Sequence, residues 1–118
     1  MRKHCSKVIV ENFFEPCVLY LLMLKPSYGY ELNQKLLENC GCNVNIGNLY
    51  RGLSRLTKEG YISKKKVKSE VGPNRLQYSL TEKGHTLLKE WIEELEDQTH
   101  TITKLIINYK KTYETHIN

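Results

Sequence analysis

The side chains of this sequence best suited to chemistry are cations and hydrogen-bonding groups that recur at helical spacing after residue 45. On a helix with about 100° between successive residues, one side carries Asn48, Arg51, Ser54, Arg55 and Lys58. The other side carries an apolar arc of about 120°, formed by Ile46, Leu49, Tyr50, Leu53 and Leu56. Guanidinium, amide and hydroxyl groups contact base edges and phosphates in the major groove of DNA. The pattern therefore predicts a DNA-reading helix, with an ordinary amphipathic surface helix as the alternative.

A second group of cations follows in a segment that predicts a β-hairpin. Residues 61–68 have the pattern of a strand, and residues 75–80 alternate between polar and apolar side chains. Between them, residues 69–74 include the Gly, Pro, Asn and Ser types that favour turns. The cations of this segment are Lys64, Lys65, Lys66, Lys68 and Arg75, against one carboxylate, Glu70. Such a run is usually a solvated surface. Because this one directly follows a cationic helix, we interpret it as a surface that contacts DNA phosphates.

Composition limits the class of protein. A chain of 118 residues with a formal net charge of +5 and 40% hydrophobic residues predicts one compact, moderately basic globular domain. No apolar run approaches the roughly 20 residues that span a bilayer, and no signal cleavage site is visible, so a cytoplasmic location is expected. The four histidines, His4, His85, His100 and His116, are scattered. Without a nucleophile–base pair or a glycine-rich phosphate loop, the sequence predicts neither an enzyme nor a cofactor.

The four cysteines are Cys5, Cys17, Cys40 and Cys42. An even number requires disulfides to be considered, but the chain lacks the loop-rich character of small secreted domains, so reduced thiols are expected. Cys40-Gly41-Cys42 is a single Cys-x-Cys motif without a second pair at metal-site spacing, and no metal site is predicted. A thiol- or metal-responsive regulator that uses Cys40 and Cys42 is kept as an alternative to simple packing.

Further helices are predicted on both sides of the cationic helix. Residues 1–14 are interpreted as a helical arm, and Pro16 either begins the next helix or kinks a longer one. The core residues expected on that next helix are Cys17, Val18, Leu21, Leu22 and Leu24. The helix after it should begin at an N-cap Ser27, run to about Glu38 and bury Leu32, Leu36 and Leu37. Asn45 is the expected N-cap of the cationic helix, Gly60 its stop, and Thr81 the N-cap of the last helix.

A heptad pattern runs through the last predicted helix, which extends to about Tyr113. Its apolar positions, spaced alternately by four and three residues, are Leu88, Ile92, Leu95, Thr99 (the one polar member), Ile102, Ile106, Tyr109 and Tyr113. The stripe is about 38 Å long at the helical rise, and no other segment of the chain is long enough to cover it. The pattern therefore predicts a homodimer paired through this helix, with packing on the chain's own domain as the alternative.

The order helix, helix, helix, two-stranded wing and long helix is typical of a winged helix-turn-helix with a C-terminal dimerisation helix. The expected fold class is mainly α with a small β-hairpin, divided into a winged domain at residues 1–81 and a dimerisation helix at residues 82–118. The sequence also resembles the PadR-type transcriptional regulators in four segments that lie in the same order. These are Tyr28–Leu32, Gly47–Tyr50, Leu53–Ile62 and Gly72–Gly84, within roughly residues 10–95.

The resemblance implies a dimeric, cytoplasmic repressor of the bacterial type, with the short form of the C-terminal region. It also implies that Tyr50 contacts DNA at the start of the recognition helix and that Tyr28 and Tyr30 open the helix before it. The family commonly has Thr and Pro beside its Leu-Tyr pair, where this chain has Asn48 and Arg51. A different base preference is therefore expected.

Together these observations predict a sequence-specific DNA-binding regulator that binds a pseudo-palindromic operator as a homodimer. Asn48, Arg51 and Arg55 are the candidates for base reading, whereas Tyr50, Lys58 and the wing cations should contact phosphates. The family is associated with phenolic or drug-like ligands, so Trp91 is a candidate for stacking on an aromatic effector, with core packing as the alternative. A winged-helix adapter that binds protein is the rival class, which the basic wing disfavours.

Overall fold

The structure, a computed structural model, describes residues 12–117, and within that range it contains four helices and three strands. The helices are α1 (Phe14–Leu24), α2 (Gly29–Cys40), α3 (Ile46–Lys58) and α4 (Glu82–Ile117). The strands are β1 (Ser27–Tyr28), β2 (Ile62–Val67) and β3 (Arg75–Leu80). The predicted arm at residues 1–14 falls almost entirely outside the described residues. The mainly helical content with a small sheet confirms the predicted fold class.

The sheet has three antiparallel strands in the order β1-β3-β2, one more than the predicted hairpin. The additional strand, β1, pairs Ser27 with Tyr78. A two-residue strand is too short to show a hydrophobic alternation, so the sequence pattern did not reveal it. In the hairpin, Ile62 lies opposite Leu80 and Lys64 lies opposite Tyr78. Facing residues of paired strands share one side of the sheet. Tyr78 is buried on the predicted apolar side of β3, but Leu76 is 37% exposed and lies opposite Lys66, so this side is apolar only toward the core end of the hairpin.

Local hydrogen bonds explain where α3 and α4 begin and end. The Oδ1 atom of Asn45 accepts a hydrogen bond from the Gly47 amide at 2.8 Å, which confirms Asn45 as the N-cap of α3. Such a cap stabilises a helix by about 1 kcal/mol. Gly60, just past the helix, has a φ of 87°, a left-handed conformation that favours glycine. The Oγ1 atom of Thr81 accepts from the Gly84 amide at 3.0 Å, as expected for the cap of α4.

The beginning of α2 differs from the prediction. Its N-cap is Tyr28, whose amide donates to Oε1 of Glu31 at 2.9 Å, and not Ser27. Ser27 is buried as the first residue of β1, and its hydroxyl does not cap the helix: it donates to the Lys25 carbonyl at 3.3 Å and accepts from the Lys35 ammonium at 3.4 Å. Pro16 is the third residue of α1, in the first turn, where its missing amide hydrogen removes no helical bond.

The core lies between α1, α2, α3 and the sheet. Its buried apolar residues are Cys17, Val18, Leu19, Leu21, Leu22, Leu32, Leu36, Leu49, Leu53, Leu56, Ile62, Tyr78 and Leu88. Four residues predicted to be buried are instead exposed: Leu24 (60%), Leu37 (55%), Ile46 (49%) and Tyr50 (42%). Leu24 and Leu37 lie near helix ends, and Ile46 and Tyr50 form one edge of the predicted arc. An apolar arc is buried only where another element faces it, and the sequence period does not show where that contact stops.

The chain divides into two compact units, one ending at Leu88 and the other beginning at Lys89, within α4. We call the first the winged unit and the second the C-terminal segment. In the winged unit, the start of α4 approaches the hairpin so closely that a Cβ at Gly84 would lie 2.1 Å from the Tyr61 carbonyl oxygen. Only glycine permits that approach. Within residues 12–117, no helix is both long enough and apolar enough to cross a membrane.

Candidate nucleic-acid interface

The polar face predicted for α3 is exposed in full. All five side chains, Asn48, Arg51, Ser54, Arg55 and Lys58, lie at the surface, while the leucines of the opposite face are buried. The Nη2 atom of Arg51 donates a hydrogen bond to Oδ1 of Asn48. A guanidinium carries several N–H donors, so one bond to Asn48 leaves others for a base edge or a phosphate. The pair therefore presents an amide and a guanidinium together, near the start of the helix.

Arg55 is placed differently from the other two base-reading candidates. Its guanidinium forms an ion pair with Glu15 through Nη2 and another with Glu59 through Nη1, the latter at 3.0 Å. Glu15 lies on α1 and is only 8% exposed, so the first pair joins α1 to α3. Two carboxylates, one of them buried, thus restrict where the Arg55 guanidinium can point. The arrangement supports a role for Arg55 in positioning α3, and the base reading predicted for it stays a prediction.

Three predicted site residues from different elements meet beside α3. The rings of Tyr28 and Tyr30 stack with 5.8 Å between centroids and 5° between planes. The guanidinium carbon of Arg75, from β3, lies 5.5 Å from the centroid of the Tyr28 ring. Its Nη1 donates to the Tyr30 hydroxyl at 3.4 Å. A cation over an aromatic face is attracted by the ring quadrupole, so the cluster holds Arg75 at the junction of α2 and the wing.

Tyr50 joins this cluster from α3. A Cβ built at Gly29 would lie 2.7 Å from the Tyr50 hydroxyl, so the ring packs directly against the first residue of α2. Tyr50 also lies near Tyr78. The pKa of Tyr78 is raised mainly by burial and, to a smaller extent, by the neighbouring Tyr50. These tyrosines and Arg75 line a cleft of about 260 Å³. Phenol hydroxyls and a guanidinium around a cleft are groups that contact the sugar-phosphate backbone of DNA.

The wing lysines do not form a single group, because successive residues of a strand point to opposite faces. Lys64 and Lys66 of β2 share one face, and Lys65 points to the other, although all three are exposed. Lys65 lies opposite Gln77, and Gln77 lies opposite Tyr28. Lys65 is therefore the lysine that shares a face with the tyrosine–arginine cluster, a distinction that the sequence analysis did not make.

Lys68 follows the end of β2 and is exposed. It lines a second cleft, of about 320 Å³, together with Tyr28, Arg75 and Glu70. One carboxylate among these cations reduces the positive potential of the wing tip only in part. The predicted cationic wing is thus continuous with the aromatic cluster, since Tyr28 and Arg75 line both clefts.

Residues 18–90 match the sequence profile of the family described as "Transcriptional regulator PadR-like family". The chain belongs to the PadR-like family. Membership confirms the resemblance that four separate segments of the sequence indicated. Because the family consists of transcriptional regulators, it also confirms the prediction that the chain is not an enzyme.

Several solved structures resemble this PadR-like chain. A PadR-like transcriptional regulator from Bacillus cereus is 34% identical, with a TM-score of 0.68 over 78% of this chain and 89% of that chain. A transcriptional regulator from Clostridium thermocellum is 29% identical, with a TM-score of 0.75 over 84% and 94%. Bacillus subtilis PadR, solved in complex with operator DNA, is 24% identical, with a TM-score of 0.64 over 69% and 47%, and shares the fold. Comparison with curated proteins finds no match.

The predicted dimer residues of this PadR-like chain differ in exposure. Leu88 is buried in the winged unit, and Leu95 and Ile102 are half-buried. Ile92, Ile106 and Tyr109 are exposed by 47%, 47% and 63%. Tyr109 and Tyr113 stack one turn apart, with 6.0 Å between ring centroids. The C-terminal segment therefore carries an exposed apolar stripe at the predicted heptad positions.

Three residues at this site escaped the sequence analysis. Glu15 lies 40 residues from Arg55, and no pattern within one helix reveals a partner at that distance. Gly29 falls inside the Tyr28–Leu32 segment, but its role depends on Tyr50 in another helix. Lys83 donates to the Glu59 carbonyl at 2.7 Å and lies 4.8 Å over the Tyr61 ring, so it closes the C-terminal end of α3. All three contacts join elements that are distant in the chain.

Proposed function

We propose that this PadR-like regulator binds double-stranded operator DNA as a homodimer and acts as a repressor. The observation that carries the proposal is the exposed Asn48–Arg51 pair on α3, the helix whose Tyr50 joins the cluster of Tyr28, Tyr30 and Arg75. One helix thus carries groups suited to base edges and also contacts a cluster suited to phosphates. Bacillus subtilis PadR, which shares this fold, was solved with operator DNA.

The two groups of residues have separate tasks in this proposal. Asn48 and Arg51 contact base edges and set the preferred sequence. The phosphate contacts come from Tyr28, Tyr30, Tyr50, Ser54, Lys58, Lys64, Lys65, Lys66, Lys68 and Arg75. Phosphate contacts release counterions, so they set the salt dependence of binding to every DNA sequence.

The exposed stripe of α4 supports the homodimer. A second copy of the same helix has the length and the apolar face needed to cover it. Charge favours antiparallel pairing, because residues 89–97 contain one lysine and five acids, whereas residues 104–114 contain three lysines and one acid. Parallel pairing would place the acidic stretches side by side. In the proposed dimer, the two recognition helices would enter successive major grooves about 34–36 Å apart.

Selection of duplexes from a random pool by the full-length protein tests this proposal, with a gel shift on the DNA upstream of its own gene beside it. We expect enrichment of an inverted repeat whose half-sites are about 10 base pairs apart, centre to centre. Sedimentation should show a dimer at micromolar concentration. A monomer that binds no DNA in moderate salt would contradict the proposal and favour a protein-binding adapter.

Release of DNA by a small aromatic effector is the regulatory part of the proposal. Trp91 is the only tryptophan of the chain and is partly buried beside the exposed Ile92. A flat indole beside a dimer interface can stack on a planar ligand. Titration with a panel of planar aromatic compounds should quench or shift the tryptophan fluorescence. Unchanged emission across the panel would remove the effector from the proposal.

A further inference from the structure

The start of α4 is hydrogen-bonded to the residues that end α3. The Oγ1 atom of Thr81 donates to the Gly60 carbonyl at 2.7 Å and lies 2.9 Å from the Tyr61 carbonyl oxygen. The Thr81 amide donates to the same Tyr61 oxygen at 3.2 Å. The Tyr61 amide in turn donates to the Leu56 carbonyl at 2.9 Å, in the last turn of α3. The start of α4 is therefore joined to α3 through residues 60 and 61.

Lys83 extends this connection to residue 59. Its ammonium donates to the Glu59 carbonyl at 2.7 Å, and Glu59 is the C-cap of α3. The same ammonium lies 4.8 Å from the centroid of the Tyr61 ring. A Cβ built at Gly60 would lie 3.8 Å from the Cδ atom of Lys83, so the aliphatic stem passes beside Gly60. One side chain thus spans three successive residues at the end of α3.

The charge of Lys83 favours the contact with α3 over a role within its own helix. The amino end of a helix carries a partial positive charge, and the carboxyl end carries a partial negative charge. Lys83 is the second residue of α4, at the positive end of its own helix, while its ammonium lies at the negative end of α3. A cation there also satisfies a carbonyl that has no partner within the helix. The side chain is therefore placed to bind the end of α3.

We propose that Lys83 is a positioning residue that fixes α3 relative to the start of α4 and thereby sets the half-site spacing that the protein accepts. The proposal rests on the proposed function, since it requires a dimer that binds two half-sites. Because α4 is one continuous helix from Glu82 to Ile117, the helix held by Lys83 is also the helix that carries the exposed stripe.

A recognition helix held in this way cannot follow a displaced half-site. One base pair added between the half-sites moves one of them by about 3.4 Å along the duplex and turns it by about 35°. A dimer with fixed recognition helices must then lose contacts at one half-site, whereas a dimer with loosened helices can adjust. The sharpness of the spacing preference is therefore the quantity that Lys83 should control.

Binding of the full-length protein to duplexes of altered spacing tests the proposal. The probes are the inverted repeat that the unsubstituted protein selects, the same duplex with one base pair added or removed between its half-sites, and an isolated half-site. The unsubstituted protein should bind the altered duplexes at least about tenfold more weakly than the selected one, and Lys83→Met at most about threefold more weakly. Both proteins should bind the isolated half-site equally, because the base-reading groups are unchanged.

Two further variants serve as controls. Lys83→Arg keeps a cation that can reach the same carbonyl and ring, so it should retain the sharp preference. Lys25→Met removes the same charge from an exposed position outside the proposed DNA contacts and should retain it as well. Circular dichroism shows that each variant is folded. A sharp preference in Lys83→Met would overturn the proposal. An equal loss on every duplex, including the half-site, would also overturn it, because a phosphate contact or a general loss of structure has that effect.

Thermal unfolding of the same protein tests the contact without DNA. Lys83→Met and Tyr61→Leu remove the two partners of one interaction, so the double variant should lower the melting temperature by less than the sum of the single variants. Additive losses would overturn the proposal. Failure of the unsubstituted protein to select any inverted repeat would refute the proposed function and the spacing rule with it. The unfolding experiment would still decide whether Lys83 holds the end of α3.

Discussion

The winged unit and the C-terminal segment use apolar side chains in opposite ways. In the winged unit, leucines of three helices meet each other and the sheet in a closed core. In the C-terminal segment, none of residues 89–116 is buried. Its exposed large apolar residues are Ile92, Leu105, Ile106, Ile107, Tyr109 and Tyr113. The winged unit therefore completes its fold within one chain, whereas the helix leaves an apolar surface exposed, which is the surface that the proposed dimer would cover.

The free energy gained by burying the stripe is large enough to support the proposed dimer. Complete burial of one large apolar side chain contributes about 1.5–3 kcal/mol, so covering the stripe on both copies gives on the order of 10 kcal/mol or more. Association itself costs an estimated 4–15 kcal/mol. Burial of the whole stripe can therefore offset the cost of dimerisation, while burial of one or two of its residues cannot.

The largest effect is expected from a charge placed in the stripe. Ile106→Glu should dissociate the dimer and weaken binding to an inverted repeat about 100-fold or more. The reason is that the two DNA-binding units are then no longer linked and must bind the two half-sites independently. Binding to an isolated half-site should be unchanged. Asn108→Glu adds the same charge off the heptad positions and is the control. Sedimentation measures the oligomeric state of both variants, and gel shifts measure their DNA binding. A dimeric Ile106→Glu variant would show that the stripe does not hold the two copies together.

A methyl group at Gly84 tests whether the close packing of α4 against the Tyr61 backbone stabilises the winged unit. Its Cβ would lie 2.1 Å from the Tyr61 carbonyl, a backbone atom that cannot move aside cheaply, so Gly84→Ala should lower the free energy of unfolding by about 3 kcal/mol or more. Gly41→Ala is the control, because it has open space but a φ of 62°, with an expected cost of about 1 kcal/mol. Urea denaturation compares them. Equal losses would show that the close approach does not matter for stability.

Arg51→Ala should separate specificity from general DNA affinity. If Arg51 reads a guanine, its loss costs about 1–3 kcal/mol on the selected duplex and little on random DNA. Neutralising Lys64, Lys65 and Lys66 together should instead weaken binding to all sequences alike and flatten the salt dependence. Competition binding at several salt concentrations distinguishes these effects. An equal loss on both DNAs for Arg51→Ala refutes its base-reading role.

A smaller effect is expected from the ion pairs of Arg55. Glu15→Gln removes the partly buried pair between α1 and α3 and should lower the free energy of unfolding by about 1 kcal/mol. Glu59→Gln removes an exposed pair within α3, worth only a few tenths of a kcal/mol. Thermal denaturation of the two variants gives the difference. If Glu59→Gln costs as much, Arg55 does not join the two helices in the way proposed.

The smallest effect concerns the two faces of the wing. Lys65 shares a face with Tyr28, and Lys64 does not. If the tyrosine–arginine cluster faces DNA, Lys65→Ala should reduce the slope of affinity against salt by about 1, the value for one phosphate contact. Lys64→Ala should reduce it less. The opposite ranking would place the DNA on the other face of the hairpin.

Local features of this chain could be predicted from the sequence, and contacts between distant residues could not. Asn45, Gly60 and Thr81 act on their own helix ends, so the chemistry of each residue was enough to assign its role. The exposed face of α3 followed from its period. The strand at Ser27 and the partner of Arg55 depend on residues about 40 or more positions away, and no local pattern carries that information.

The contact between Gly29 and Tyr50 has a practical consequence. The atoms that a methyl group on Gly29 would meet are the hydroxyl end of a side chain that is itself partly exposed, so the ring can swing aside while the backbone stays in place. Gly29→Ala should therefore redirect one phenol of the proposed DNA surface and leave the scaffold intact. If Tyr50 contacts DNA as proposed, the substitution offers an engineer a way to retune operator affinity from outside the proposed set of contacts.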